Sequence, residues 1–239
     1  TLPFRLEGAP DSAAPIVGQE RPLNLSFGPA AGEGGAAPEA LGDFDRIRRE
    51  VRPLGQLRDS YIIAVDSTGL VLIDQHVAHE RVLFEAYLRQ KVSGTIEAQR
   101  LLIPIVVELP PKQLVILDHI IPELVRSGFE VEPFGPRTVA VKTAPSILKP
   151  DAVEKLLVEL LEGLGRETRV VDIEALKRKI AATVSCHAAI KINNPLDENR
   201  MRWLVTELMK TDVPTVCPHG RPIVLRYDLR EIEKGFKRA

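Results

Sequence analysis

Asp74-Gln75-His76-Val77-Ala78-His79-Glu80-Arg81-Val82-Leu83-Phe84-Glu85 follows directly on the apolar run Leu70-Val71-Leu72-Ile73. The apolar run reads as a strand, and the polar, helix-forming stretch after it reads as a helix. Asp74 stands at their junction, where an N-cap belongs. A strand feeding straight into a helix points to a mixed α/β (α+β) fold. On that helix His76 and Glu80 are four residues apart and therefore share a face. A carboxylate, an imidazole and a second carboxylate then converge at a helix N-terminus, a set that divalent metals bind. Glu85 lies roughly 140° further around the helix at about 100° per residue, which places it outside that set as a supporting or structural acid.

The chain has only two cysteines, Cys186 and Cys217. Cys217-Pro218-His219-Gly220 offers a thiol and an imidazole two residues apart, and Pro218 forbids an ordinary helix interior. In an extended segment both side chains point the same way. Ser185-Cys186-His187-Ala188-Ala189-Ile190-Lys191 falls in an expected helix. Taken singly, each fragment has an ordinary reading. A buried cysteine is commonly a small core hydrophobe, and a His-x-x-x-Glu pair is commonly a solvated helix face. The set carries the argument.

That set resembles the C-terminal domain of endonuclease-type MutL mismatch-repair proteins. Asp74-Gln75-His76 with Glu80 and Glu85 resembles the family's DQHAxxExxxxE motif. Ser185 to Lys191 is similar to its ACxxAIK segment, Cys217 to Pro222 to its CPHGRP motif, and Phe236-Lys237-Arg238 to its FxR element. The resemblance covers roughly residues 50–239. Two positions depart from it: Val77 and Ser185 each stand where the family has Ala. Neither removes a candidate ligand, and Val77 adds bulk beside the site.

The resemblance implies a dimerisation subdomain split in sequence, residues 49–96 and 186–239. An external α/β subdomain, residues 97–185, is inserted between its halves. Asp74, His76 and Glu80 are then expected as catalytic metal ligands, with Cys186, Cys217 and His219 completing the site. Thiolate and imidazole favour zinc, in a structural or regulatory role, whereas carboxylates suit manganese or magnesium; manganese as the catalytic ion is what the family implies. The expected activity is metal-dependent nicking of double-stranded DNA by a homodimer that works with MutS and a replication sliding clamp. Arg221 and Lys191 are candidates for phosphate contact or for ordinary ion pairing. The rival expectation is a non-catalytic dimerisation and docking module with a structural zinc, and Asp74, an acid that a closed four-ligand zinc does not need, separates the two.

Composition bounds these readings. The 239 residues are 44% hydrophobic and 27% charged, ordinary for a globular chain. A formal net charge of −1 is not that of an autonomous nucleic-acid binder, so a DNA substrate would need help to stay bound. No apolar run approaches the ~20 residues needed to span a bilayer. Two cysteines far apart, one beside His219, suggest reduced thiols and a cytoplasmic location; the resemblance implies association with the nucleoid during repair. The start at Thr1 reads as a fragment of a longer protein. Residues 1–48, with Gly28-Pro29-Ala30-Ala31-Gly32-Glu33-Gly34-Gly35, read as a linker.

Along the rest, strands are expected at 54–57, 61–65, 70–73, 101–109, 129–133, 138–143 and 223–227. Helices are expected to about 90 and over 112–127, 151–164, 172–192, 196–211 and 228–236, with Trp203, Leu204 and Leu208 on one stripe. Pro122 should kink its helix, and Pro104 argues for an edge or bulge. Gln99-Arg100-Leu101-Leu102-Ile103-Pro104 resembles the family's clamp-contacting QxLLxP segment, which makes Gln99, Leu101, Leu102 and Pro104 the expected contacts. Its rival reading is a core strand, since Leu101-Leu102-Ile103-Pro104-Ile105-Val106-Val107 is apolar throughout.

Overall fold

Three strands at the start of the folded part form an antiparallel meander: β1 (Arg52–Leu57), β2 (Tyr61–Val65) and β3 (Gly69–Asp74). The computed structural model describes residues 51–94, 96–166 and 172–238, and the linker expected over residues 1–48 lies outside them. The β2–β3 turn is tied by Asp66, whose carboxylate accepts from the Thr68 and Gly69 amides at 2.8 and 3.2 Å. Gly69 is required there by close approach, because a Cβ would sit 2.3 Å from the Tyr227 carbonyl oxygen on the neighbouring strand. β3 runs into α1 (Gln75–Val92), as the Asp74 junction predicts.

The chain then builds a second, three-stranded antiparallel sheet from β4 (Ala98–Glu108), β5 (Glu130–Pro133) and β6 (Thr138–Pro145), in the order β4-β6-β5. Three helices accompany it: α2 (Pro111–Arg126), α3 (Pro150–Gly165) and α4 (Ile173–Ala188). Finally α5 (Glu198–Met209), β7 (Val224–Asp228) and α6 (Leu229–Gly235) return to the first sheet, where β7 pairs with β3 to give the order β1-β2-β3-β7. The architecture among the described residues is therefore mixed α/β, with two antiparallel sheets and six helices.

Each sheet has its own core. Ile62, Ile73 and Ala78 pack with Leu204 and Leu208 under the first sheet. Leu109, Leu117, Leu156, Leu160 and Ile180 fill the second. α1 serves both: Val77, Ala78 and Val82 face the first core, Phe84 and Tyr87 the second. Val77, bulkier than the alanine of the resemblance, is simply absorbed into packing.

Two local expectations need correction. The helix expected over 172–192 stops at Ala188, and Ala189 is already extended at φ −64°, ψ 151°. Pro195 disfavours helical geometry at Asn194, Asn193 takes φ 61°, and the Ile190 peptide is drawn to α1 instead. Trp203 is 48% exposed and stands off the Leu204–Leu208 stripe, its ring edge-on to His79 at 5.9 Å. Among the described residues no helix is long and apolar enough to cross a membrane.

Candidate metal centre

One helix, α1, fastens three distant segments, and successive residues of the opening motif divide the task. Asp74 caps it, its Oδ1 accepting from the His76 and Val77 amides, both at 3.0 Å. Gln75 is fully buried; its amide donates to the carbonyls of Asp59 at 2.6 Å and Asn194 at 3.0 Å and accepts from Gln56. His76 and His79 grip one residue between them. His76 Nδ1 lies 2.7 Å from the Ile190 carbonyl, and the Ile190 amide donates to His79 Nδ1 at 3.0 Å. The first contact requires a proton on His76 Nδ1, which turns Nε2 toward Glu80. One turn further on, Arg81 donates to the Val216 carbonyl, and Glu85 accepts from the Asp212 and Val213 amides at 2.8 and 3.5 Å. These bonds fix the segment that leads into Cys217. Glu85 is thus a structural acid.

Cys217 opens a tight turn. Its amide donates to the Arg221 carbonyl, and the Gly220 amide donates back to the Cys217 carbonyl. Gly220 sits at φ +84°, where a side chain is disfavoured. The amides of His219 and Arg221 both point at the Cys217 sulfur, at 3.3 and 3.2 Å, and fix its direction. The turn delivers thiol and imidazole to Glu80: potential ligand atoms of Glu80, Cys217 and His219 all lie within 4.8 Å of one another.

Glu80 is the centre of this group and is 1% exposed. Its Oε2 accepts from Arg221 at 2.7 Å. Its Oε1, 3.3 Å from His76 Nε2, is buried without a hydrogen-bonding partner of ordinary geometry. Burial works to raise the Glu80 pKa, but contacts from His76, Cys186 and Arg221 outweigh it and hold the carboxyl down at about 2. The same contact with Glu80 raises the His76 pKa above its ordinary value. Burial pushes the Cys186 thiol up to about 11, helped by its hydrogen bond to Glu80. Burial lowers His79 to about 4, with repulsion from His76 adding to it, so His79 is a neutral positioning group.

The six residues expected as ligands therefore divide. Glu80, Cys217 and His219 form the cluster; His76 and Cys186 border it through Glu80; Asp74 stands at the helix cap with Oδ1 committed to backbone amides. Arg221 is ion-paired with Glu80 while its side chain stays half-exposed. Ser185 is buried and bonds back to the Ala181 carbonyl at 2.7 Å. His79 was missed in the sequence reading, although its three-residue spacing from His76 puts both on one helix face. His187 was also passed over; it turns away to meet Glu159 of α3 at 2.9 Å.

The Gln99–Pro104 segment lies in β4, where the register with β6 breaks between Arg100 and Ile105. Pro104, which has no amide hydrogen to offer, falls in the interruption. Leu102 and Ile103 are thrown outward, 98% and 77% exposed, while Leu101 is buried. Gln99 donates to the Leu148 carbonyl at 2.7 Å, so its amide serves the fold.

Comparison with known proteins identifies the family. The family model described as the MutL C-terminal dimerisation domain matches residues 54–196. The DNA mismatch repair protein MutL of Koribacter versatilis is 53% identical over 188 residues, 79% of this chain and 29% of its own length. The MutL proteins of Acidobacterium capsulatum, 51% identical over 188 residues (79% of this chain, 28% of that protein), and Desulforudis audaxviator, 39% over 189 residues (79% and 33%), are similar over comparable stretches. The chain spans about a third or less of the length of these relatives. A strand–cap–helix junction that fastens the Ile190 and Cys217 segments, a family model over most of the described residues, and relatives up to 53% identical over an aligned 188 residues lead to one conclusion: the chain belongs to the family of MutL C-terminal dimerisation domains.

Proposed function

We propose that this chain is a metal-dependent DNA-nicking endonuclease domain that acts in mismatch repair as a homodimer. The observation that carries the proposal is the convergence of Glu80, Cys217 and His219, with the buried Oε1 of Glu80 meeting His76 at 3.3 Å but making no hydrogen bond of ordinary geometry. A carboxylate, a thiolate and an imidazole suit zinc, and the carboxylates of Asp74 and Glu80 suit manganese or magnesium. When bound, such ions polarise a phosphodiester and make water a better nucleophile. His76, whose pKa the contact with Glu80 raises above its ordinary value, is a group able to hold a proton beside the cluster. Arg221, half-exposed beside Glu80, is placed to meet negative charge on a phosphate. Cys186 must surrender its proton to join a metal, so its participation favours higher pH.

Double-stranded DNA, MutS and the sliding clamp are the proposed partners, the last through the protruding Leu102 and Pro104 rather than through Leu101. We also place the boundaries of the inserted subdomain near residues 97 and 185, with α1 spanning both cores. The rival reading, a docking module with a structural zinc, draws on Asp74, whose Oδ1 is committed to the helix cap. One plasmid-nicking experiment tests these points together. Asp74→Asn keeps a good cap, since Asn and Asp rank alike there, and should abolish nicking with the fold intact. Leu102→Ala should keep basal manganese-dependent nicking and full thermal stability but lose stimulation by the clamp. Nicking at the unsubstituted rate by Asp74→Asn would favour the structural-zinc reading, and normal stimulation of Leu102→Ala would remove the docking role.

The homodimer has a candidate face. On the side of the first sheet away from α1, Ile63, Leu72 and Leu225 are register neighbours, next to Leu70 and Tyr227. Leu225 and Tyr227 are exposed. An apolar patch continuous across three strands suits a two-fold, self-complementary contact. The chain should sediment as a dimer at micromolar concentration, and Leu72→Glu with Leu225→Glu should make it monomeric. A monomer without substitution would count against this face.

A further inference from the structure

The overall charge of −1 hides an uneven distribution. A cleft of about 510 Å³ opens beside the Cys217–His219 turn and runs between α3 and α4. Arg166, Arg178 and Lys179 line it, with Arg81 at its inner end and Glu159 and Glu162 among its walls. Neither acid is unengaged: Glu159 meets His187 at 2.9 Å and Glu162 meets Arg166 at 3.4 Å. A second cleft of about 450 Å³ adjoins it, lined by Lys91, Arg126 and Lys177 together with Glu174. Arg178 lines both. It is exposed, and it lies close enough to the buried Arg81 for their repulsion to add to burial in lowering the Arg81 pKa. An exposed guanidinium, Arg178, and a buried one, Arg81, are thus held near each other along a cleft that Cys217 and His219 of the candidate metal centre also line.

We infer that the two clefts joined at Arg178 form the track for the DNA backbone flanking the nicked bond, with Arg178 seated between successive phosphates. Anions spaced along a strand fit two basic depressions in a row better than one isolated anion does. The exposed pairs Arg166–Glu162 and Lys177–Glu174 are of the kind that contributes little to stability, so their cations can turn to phosphate at small cost. On this track the strand runs along the N-terminal half of α4 toward the Cys217–His219 turn.

This track rests on the nicking reading, and binding measured without metal keeps the two separable. The whole chain is titrated into a short fluorescein-labelled DNA duplex in EDTA over a range of salt concentrations. Each phosphate contact contributes roughly 0.9 to the slope of log K against log salt on duplex DNA. Arg178→Ala should weaken binding several-fold and flatten the slope by about 1; Arg178→Lys should restore the slope. Arg202→Ala, an exposed α5 arginine outside both clefts, should change neither. An unchanged slope in Arg178→Ala, or an equal loss in Arg202→Ala, overturns the track. If the slopes behave as expected but no metal supports nicking, the track stands as a binding site and the endonuclease reading falls.

Discussion

Replacing Glu80 by Gln is expected to abolish the stabilisation that zinc gives the domain, while leaving the metal-free fold in place. The substitution keeps the shape of a residue that is 1% exposed and removes only its charge. At zinc 100-fold above its Kd the unsubstituted chain should gain about 2.7 kcal/mol. Residues that only support metal ligands typically cost about 10–100-fold in affinity when changed, so losing a ligand at the centre of the cluster should cost at least that. A 100-fold loss leaves a gain of about 0.4 kcal/mol at the same zinc concentration. Thermal melts with and without zinc read the difference directly, and an equal zinc-dependent shift in both proteins would remove Glu80 from the site.

The same variant carries a pH signature in the metal-free protein. His76 is raised above 6.5, so its pairing contributes stability that is complete below 6.5 and lost as pH climbs through the raised value. Glu80 is lowered from 4.5 to about 2, so its contribution is present above 4.5 and lost as pH falls toward 2. The advantage of the unsubstituted chain over Glu80→Gln should therefore be greatest between 4.5 and 6.5 and fade on either side. The His76 resonances should titrate at lower pH in the variant. A His76 titration unmoved by the substitution would mean that the two groups do not interact.

Glu85→Ala should be the most destabilising single change near the site, although Glu85 is no ligand. It would leave the Arg81 guanidinium buried without its acid, and the Asp212 and Val213 amides without their acceptor. Breaking a buried pair in this way costs about 3–5 kcal/mol, a large share of the roughly 5–15 kcal/mol that holds a domain together. The midpoint of urea unfolding should fall accordingly. Zinc affinity should fall with it, because the segment that aims Cys217 is released. Arg81→Met combined with Glu85→Leu removes both charges and should lose less than the sum of the single changes. A Glu85→Ala midpoint equal to that of the unsubstituted chain would show that the carboxylate holds nothing.

The local grammar of this chain was legible because it rests on short-range physics. An alternating apolar pattern with Asp66 and Gly69 at a turn makes a hairpin wherever it occurs, and Asp74 after Ile73 caps a helix using only the amides two and three residues on. The places where reading along the chain failed are those where a distant partner decides. The α4 helix stops at Ala188 because His76 and His79, more than a hundred residues earlier in the chain, take both hydrogen-bonding groups of Ile190. Trp203 leaves its stripe to meet His79.

Residue types and spacing named Asp74, His76, Glu80, Cys186, Cys217 and His219 together. Only the tertiary structure separated the cluster of Glu80, Cys217 and His219 from Asp74 at the cap. The reason is that an aspartate at a helix N-terminus and an aspartate facing a metal look the same in sequence; they differ only in which atoms from elsewhere in the fold arrive within reach. The sequence likewise counted charges that sum to nearly nothing, whereas the clefts along α4 exist because folding brings Arg81, Arg166 and Arg178 to one side of the molecule.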